Sequence, residues 1–407
     1  MARTFAAAID VLRDHVNYRE IRFLIAMQYA RVPLLRRWLA CYSGTVPTEE
    51  ICDRVRADSE FTESLPVTDH ERAFFQEHGY ADVLAPPGDR MELRARELVC
   101  ELVDCEILAM TKMILHRPSE RIVLSGQAGL NRNNIRPVIY RRTVAVPGPS
   151  ISLLPASHYF HFFFNILKPL TRVLRRWPDL QQATLIVGNT LAKHQEAALE
   201  VLARTYPGLK VESVAPDTRV RCERLLRFHY SRGRLIDYVT DGESLRGLRD
   251  MFHGWAGVGD VTPTRRLYIS RELQKHRRTL NEPALLEALR PWGFEKVLPE
   301  TLPMREQVRL FASAEAVIGT HGAGLTNLLF CRPGAAVIEL GSSDNLPPLF
   351  VGLSKQMGLA HRFVAGGPRG LYGAFSVAPE RLVAATAEAL GDDRGRAARI
   401  GPLSEIP

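Results

Sequence analysis

A glycine-rich turn in this 407-residue sequence has the composition of an anion-binding site. The segment from Gly319 to Asn327 reads GTHGAGLTN and stands between the apolar run at 316–318 and an apolar stretch that ends at Phe330. Small residues let a ligand approach the backbone, and a helix N-terminus offers unpaired N–H groups to an anion. His321 would lie at the carboxyl end of a strand, where open α/β sheets bind their ligands. The segment is neither a Walker motif nor a GxGxxG fingerprint, and a tight turn that simply needs glycine is the alternative.

Three arginines form a second cluster, just after another apolar strand. Arg271 follows the run RLYIS, and Arg277 and Arg278 lie in the loop that comes next. Guanidinium groups form paired hydrogen bonds with phosphate oxygens, so the cluster could clamp a diphosphate. An ordinary solvated basic loop is the alternative. Asn281 stands where it could cap the following helix.

A histidine-rich aromatic segment, HYFHFFFN, runs from His158 to Asn165. His161 and Asn165 are four residues apart and share one face of a predicted helix. A satisfied core histidine is the alternative to a functional one, and no Ser-His-Asp or paired-carboxylate arrangement is visible in this turn. Elsewhere, Glu339 ends a predicted strand, where a carboxylate can accept hydrogen bonds from ribose hydroxyls or form a salt bridge.

The elements that position these groups begin with a predicted helical extension over residues 1–115. Apolar residues recur at helical spacing through 1–40, residues 44–90 read as helices with loops, and a long helical pattern runs from Met91 to about Leu115. The basic segment from Arg19 to Trp38 could lie on an anionic membrane surface. A helix packed on its own domain is the alternative.

Strands and helices alternate through the rest of the chain, which indicates parallel sheets with covering helices. In a first domain, 116–255, we predict strands at 121–125, 138–146, 184–187 and 210–214 and helices at 160–177 and 191–205. In a second domain, 256–407, we predict strands at 266–270, 294–298, 316–319, 336–340 and 361–364, with helices between them and a closing helix at 379–390. A cleft between two such domains is a usual place for a ligand.

Composition narrows the class of protein. The chain has 53 Lys and Arg against 45 Asp and Glu, and this net charge of +8 leaves an anionic partner open. The positive charge by itself would be compatible with nucleic-acid binding. The sequence contains no recognisable aromatic-basic platform or helix-turn-helix, so we do not expect a nucleic-acid partner. The six cysteines form no CxxC pair, and neither a signal peptide nor a membrane-spanning run is apparent, which favours a cytoplasmic protein. Without an Asp-x-Asp triplet, HExxH or zinc spacing, no metal or other cofactor is expected.

These motifs, in this order, resemble glycosyltransferase family 61, in its bacterial type. The likeness is carried by RLYISR ending at Arg271, by the Arg277-Arg278 pair, by GTHGAGLTNLLF ending at Phe330, and by the VIE run ending at Glu339. The HYFHFFFN segment is similar to the family's His-aromatic segment. The resemblance covers about 120–400 and is strongest in the C-terminal domain.

The resemblance implies a GT-B fold, in which two Rossmann-like domains face a cleft, acceptor side first. The last helix can cross back to the first domain. It implies inverting, metal-independent transfer from a nucleotide sugar, usually a UDP-sugar, to a hydroxyl of a glycan or glycolipid in surface polysaccharide synthesis. The protein would be cytoplasmic or peripheral on the inner membrane face. The implied donor-binding residues are Arg271, Arg277, Arg278, Asn281, Thr320, His321, Gly322, Ala323, Gly324, Leu325, Asn327 and Glu339, with Glu339 on the ribose.

One departure from the family concerns the catalytic base. Relatives tend to carry Asp or Glu four residues after the segment's histidine, whereas this chain has Asn165, and an amide does not accept a proton as a carboxylate does. The catalytic candidates are therefore His161, His158 and Asn165, with one of the two histidines favoured as the base. Another acid entering the cleft, or a non-catalytic member that binds a nucleotide sugar or glycan, is the alternative.

Overall fold

The computed structural model of the chain describes residues 45–47, 51–109, 112–119, 121–124, 141–154, 158–230, 234–260 and 262–391. The helix predicted over 1–40, with its basic segment Arg19–Trp38, lies outside these residues. Contacts divide the chain into two units, which are Met1–Arg54, Glu101–Ser150 and Val214–Leu225, and Val55–Cys100, Ile151–Ser213 and Leu226–Pro407. No helix in the described part of the chain is long and apolar enough to cross a membrane.

Strands and helices are numbered separately along the described residues. The strands are β1 (Thr45–Pro47), β2 (Arg54–Pro66), β3 (Leu84–Ala85), β4 (Arg90–Leu108), β5 (Met113–His116), β6 (Arg121–Leu124), β7 (Arg142–Ser152), β8 (Thr184–Gly188), β9 (Lys210–Val214), β10 (Thr218–Tyr230), β11 (Arg265–Ile269), β12 (Glu295–Val297), β13 (Ala314–Thr320), β14 (Ala336–Ser342) and β15 (Ala360–Gly366). The α-helices are α1 (Asp69–Glu77), α2 (Tyr159–His161), α3 (Lys168–Arg176), α4 (Lys193–Thr205), α5 (Gly242–Ala256), α6 (Glu282–Leu289), α7 (Met304–Ala312), α8 (Leu349–Met357) and α9 (Pro379–Leu390).

The first unit is built on strands. In it β1, β6, β5, β4, β10 and β7 follow one another across the sheet, with β1 and β6 parallel and β5 antiparallel to both β4 and β6. The predicted strand at 121–125 is confirmed as β6. Of the strand predicted over 138–146, the described residues from Arg142 onward belong to β7, which begins there and continues to Ser152.

The helix predicted from Met91 to about Leu115 is wrong, because these residues form β4 and β5. Met91, Leu93 and Ala95 are buried, and residues 92, 94 and 96 are not, which is the period of a strand. The 44–90 region is also only partly helical, since β2 occupies 13 of its residues. The residue pattern from Met91 to Leu115 was interpreted as helical, whereas burial at the start of this segment alternates every second residue, as in a strand.

A five-stranded parallel sheet organises the second unit. Its order is β12-β11-β13-β14-β15, and every neighbouring pair is parallel. The chain leaves β11 toward β12 on one side and returns to β13 on the other. The order therefore reverses between β11 and β13, and parallel sheets bind ligands in the crevice at such a switch point.

Both faces of this sheet are buried, as expected of parallel strands covered by helices. In β13, Val317 packs in a large core with the aromatic segment at 160–164, while its neighbour Ile318 packs in a smaller core with α6 and α9. The strands and helices predicted after residue 256 are confirmed, with ends that differ by a few residues. Strand β10 and helix α5 were not predicted.

The aromatic segment is helical, as predicted over 160–177, but it is not one regular helix. A π-helix at Phe162–Leu167 joins α2 to α3. Four of its residues, Phe162, Phe163, Phe164 and Leu167, are almost completely buried. π-Helical turns are rare in proteins, but those that occur are frequently found at functional sites. The residues beside this turn are therefore candidates for a functional role.

Candidate active site

A cavity of about 370 Å³ opens at the carboxyl ends of β11 and β13, at the switch point of the parallel sheet. All of its lining residues belong to the second unit. Its polar lining is mostly basic and neutral, with Glu300 as its carboxylate. The polar residues are His158, Tyr159, Lys193, His194, Ser270, Arg271, Gln274, Arg277, Glu300, Gln307, Thr320 and Asn327.

Side chains occupy the space that a Cβ would take at two glycines in and before the turn that follows β13. A Cβ on Gly322 would stand 2.1 Å from Arg271 Nη1 and 2.8 Å from its Cζ. A Cβ on Gly319 would stand 2.8 Å from a methyl of Leu325. The turn is thus shaped to let the Arg271 guanidinium lie against the backbone, which links the two clusters that the sequence singled out.

Two guanidinium groups, those of Arg271 and Arg277, line the cavity. Arg271 donates through Nε and Nη2 to the carbonyl of His276, at 3.3 and 3.1 Å, which holds it across the loop. Burial, followed by repulsion from Arg277, lowers the pKa of Arg271 to about 10, so it remains a cation at neutral pH. Arg277 is held in the left-handed region at φ 57°, an uncommon conformation for a non-glycine residue that is often found at ligand sites.

The 3₁₀ helix Ala323–Phe330 adds backbone donors to these cations. Its first residues, Ala323 and Gly324, line the cavity, while Leu325 is buried in the core and donates its N–H to the Gly322 carbonyl at 3.0 Å. The first N–H groups of a helix have no carbonyl partner within it and carry partial positive charge. Guanidinium and backbone N–H donors together form the donor set that a diphosphate requires.

A hydrogen-bonded relay connects this helix to α2. The buried Tyr159 hydroxyl donates to Asn327 Oδ1 at 2.7 Å, and Asn327 Nδ2 donates to Gln307 Oε1 at 3.2 Å. Burial raises the pKa of Tyr159, so it stays protonated. The hydroxyl of Thr320, which lines the cavity, lies 2.8 Å from that of Thr279. These hydrogen bonds hold Asn327 next to Tyr159, which directly follows His158 in the chain.

Of the catalytic candidates, His158 lines the cavity, whereas His161 and Asn165 do not. The rings of His158 and His161 are 5.2 Å apart. Burial, and then the charges of His161 and Arg277, lower the pKa of His158, which favours its neutral, proton-accepting form. His161 Nδ1 and Asn165 Oδ1 are buried without a hydrogen-bond partner in the described structure, so the π-helical turn leaves two polar atoms unsatisfied.

His194 is the second histidine in the cavity lining, and the sequence did not single it out. His194 is buried, and its ring packs edge-on against that of Tyr159 with the ring centres 5.1 Å apart. Burial, and then the charge of His158, lower the pKa of His194 to about 4. A group with so low a pKa is a weak base. His158 is therefore the better proton acceptor of the two.

Glu339 is completely buried between two histidines. Its Oε1 lies 2.5 Å from His321 Nδ1, and its Oε2 lies 2.9 Å from His361 Nε2. Burial opposes ionisation, but the two imidazole hydrogen bonds outweigh it and hold the pKa of Glu339 below its ordinary value. Both oxygens thus already accept a hydrogen bond, and Glu339 is not part of the cavity lining, so its ribose role stays a prediction. The hydrogen bond between His321 and Glu339 joins the turn after β13 to the middle of β14.

Like Glu339, the predicted donor-binding residues Arg278, Asn281, His321, Gly322 and Leu325 are not part of the cavity lining. Asn281 bonds the backbone of Val377 through both its amide atoms, at 2.7 and 3.1 Å, and makes no cap for α6 although it stands at the N-cap position. Arg278 is exposed, and its carbonyl accepts from the N–H of Phe375 at 3.1 Å. Sequence alone could not separate it from the adjacent Arg277.

Several cavity residues were not predicted as ligands. Gln274 donates to Glu300 at 2.8 Å, and Ser270 donates to Glu282 at 2.7 Å. Ser270 stands next to Arg271 at a strand end, which was a usable signal. Lys193 and Glu300 are not part of any sequence motif that could have indicated a ligand site. In the described part of the chain, no group of three or more His, Cys, Asp or Glu side chains is arranged to hold a metal ion.

Comparison with known proteins points to one family. Residues 159–338 match the family described as Glycosyltransferase 61. An EGF domain-specific O-linked N-acetylglucosamine transferase of Drosophila melanogaster is 36% identical over 98 residues, covering 23% of this chain and 18% of that protein. A beta-1,2-xylosyltransferase of Arabidopsis thaliana is 30% identical over 97 residues, covering 21% of this chain and 18% of that protein. The chain thus matches less than a fifth of each relative, and every cavity residue except His158 lies within the family match.

Proposed function

We propose that this chain is a glycosyltransferase of family 61, of the bacterial type, and that its cavity holds the diphosphate of a nucleotide sugar. The observation that carries the proposal is the convergence of Arg271, Arg277 and the first N–H groups of the Ala323–Phe330 helix at the switch point of a parallel sheet. The family match over the same residues and the names of both relatives support it.

In the proposed reaction the acceptor hydroxyl attacks the anomeric carbon of the sugar from the side opposite the diphosphate. A C–O bond forms to the acceptor as the bond to the diphosphate breaks, so the configuration inverts. His158 takes the hydroxyl proton on its neutral ring. Arg271, Arg277 and the helix N–H groups stabilise the charge that develops on the leaving nucleoside diphosphate. These fixed donors would serve without a metal ion.

The proposal also specifies the donor, the acceptor, the arrangement of the domains and the location of the protein in the cell. We propose a UDP-sugar as donor, and a glycan or glycolipid hydroxyl in surface polysaccharide synthesis as acceptor. A GT-B arrangement is proposed with domains at 116–255 and 256–407 after an N-terminal extension. The protein would act in the cytoplasm or at the inner membrane face. Nothing in the chemistry of the cavity lining conflicts with a diphosphate-linked sugar.

Calorimetric titration with a panel of nucleotide sugars tests donor binding. We expect heat for at least one member, and Arg271→Ala should abolish it because a cavity cation is lost. Gly254→Ala is the matched control, since a Cβ there meets no atom within 4 Å. Absence of binding across the panel would refute the proposal.

Asn165 favours a second candidate function, a non-catalytic protein that binds a nucleotide sugar or glycan. Its amide oxygen is buried without a partner, where relatives are expected to carry a carboxylate. Incubation with donor and acceptor separates the two functions. Consumption of donor with an elongated acceptor supports the enzyme, whereas donor binding with no product over prolonged incubation supports the binding protein.

A further inference from the structure

Large exposed hydrophobic side chains are concentrated on two loops of the second unit. The segments 272–280 and 368–374, here called the rim, carry Leu273, Leu280, Leu371 and Tyr372, which are 61%, 66%, 78% and 48% exposed. The other large hydrophobic residues exposed in the described part of the chain are three valines, Val55, Val103 and Val211. A local concentration of exposed leucine and tyrosine is typical of an interaction surface.

The two rim segments form one surface because their backbones are hydrogen-bonded. Arg277 N–H donates to the Tyr372 carbonyl at 3.0 Å, and Leu280 N–H donates to the Phe375 carbonyl at 2.8 Å. Tyr372 itself has φ 56°, a strained conformation for a non-glycine residue. The loop thus keeps Leu371 and Tyr372 exposed even though the backbone at Tyr372 is strained.

The rim is also basic. It contains Lys275, Arg277, Arg278 and Arg369 and a single acid, Glu272. Lys275 Nζ lies 4.4 Å above the Tyr372 ring, so a cation and an aromatic surface are presented together. Glu272 is neutralised by Lys296 at 2.6 Å. Arg369 is likewise paired with Asp344 at 3.0 Å, so the positive charge that remains around the exposed leucines lies on Lys275, Arg277 and Arg278.

We propose that the rim docks on the surface of an anionic lipid bilayer. Leucine side chains gain free energy when they enter the acyl boundary, and basic residues beside them are attracted to anionic headgroups. A soluble acidic polysaccharide would use the cations but would leave the aliphatic tips in water, so the combination favours lipid. The rim begins next to Arg271 and includes Arg277, so docking presents the cavity to the membrane. If the proposed transfer function holds, a lipid-linked acceptor is the chemistry that this placement serves.

The test is sedimentation of the full chain with sucrose-loaded vesicles, either pure phosphatidylcholine or a mixture with phosphatidylglycerol. Leu280→Glu/Leu371→Glu is compared with the matched control Val55→Glu/Val211→Glu, which places the same charges at exposed sites outside the rim. We expect binding to the mixed vesicles that falls about tenfold or more in the rim variant and hardly in the control. All these side chains are exposed, so thermal unfolding should show all three proteins folded.

Equal binding by the rim variant and the control would overturn the proposal and place any membrane contact elsewhere in the chain. Failure of the unaltered chain to bind the mixed vesicles, or rim-dependent binding to soluble acidic polysaccharide without lipid, would also overturn it. Donor titration in solution needs no membrane. A chain that binds donor but not vesicles therefore loses only this proposal, and one that binds vesicles but not donor loses only the proposed function.

Discussion

Replacing Gly322 by alanine should weaken donor binding without unfolding the protein. The added Cβ would lie 2.1 Å from Arg271 Nη1, whereas ordinary contact begins at 3.4 Å, so this nitrogen must retreat by about 1.3 Å. The atom is the far end of a flexible side chain, and its loop is exposed. The guanidinium can therefore move away at little cost in folding free energy.

The same movement takes the guanidinium out of hydrogen-bonding range of a diphosphate held at the turn, because such bonds span only about 2.7–3.2 Å. A hydrogen bond to a charged group contributes about 1.5–3 kcal/mol. We therefore expect Gly322→Ala to raise the Kd for the donor roughly 10- to 150-fold.

Calorimetric titration with UDP, alongside thermal unfolding, measures both effects, and Gly254→Ala serves as the control. A Kd unchanged within error in Gly322→Ala would refute the role given to Arg271. A large fall in melting temperature would instead refute the claim that the turn can relax, and the binding result would then carry no information about Arg271.

Three further predictions concern groups around the cavity. His158→Gln should lower the transfer rate about 10²- to 10⁴-fold while leaving the donor Kd near its starting value, and the unaltered protein should lose activity only below the ordinary histidine pKa of 6.5. Tyr159→Phe leaves the Asn327 acceptor without its donor and should cost about 1–3 kcal/mol in urea unfolding. The lowered pKa of Glu339 contributes stability above its ordinary value of 4.5 that is lost as the pH falls through the lower folded value. The urea midpoint should therefore fall more steeply with acid below 4.5 in the unaltered protein than in Glu339→Gln.

The C-terminal sheet could be predicted because its strands are short apolar runs separated by clear helical segments. Ile318 and its neighbour Val317 are both buried, on opposite faces, so a continuous apolar run identifies the strand without ambiguity. Strand β4 could not be recognised in the same way. Its exposed residues Arg90 and Arg94 carry long side chains that also suit helices, and the run from 97 to 102 is buried throughout and shows no alternation. Pairing with distant strands decides such a segment, and a local pattern does not contain that information.

The site shows the same limit at the level of single side chains. The glycine turn and Arg271 were predicted from local chemistry, and both line or shape the cavity. Arg277 and Arg278 are adjacent and identical in type, so the sequence does not tell which of them lines the cavity. In the structure Arg277 lines it, with φ 57°, and Arg278 is exposed. Glu339 lies in the middle of β14, which continues to Ser342, and not at the strand end that the sequence predicted. Its engagement by His361, 22 residues away, depends on the neighbouring strand and left no local signal.

The central claim is that the diphosphate of a nucleotide sugar binds at the turn after β13. A crystal structure of the protein with UDP tests it most directly. We predict the diphosphate within hydrogen-bonding distance of the Arg271 and Arg277 guanidiniums and of the backbone N–H groups of Ala323 and Gly324. A nucleotide bound at another surface, with both guanidiniums left unengaged, would contradict the account.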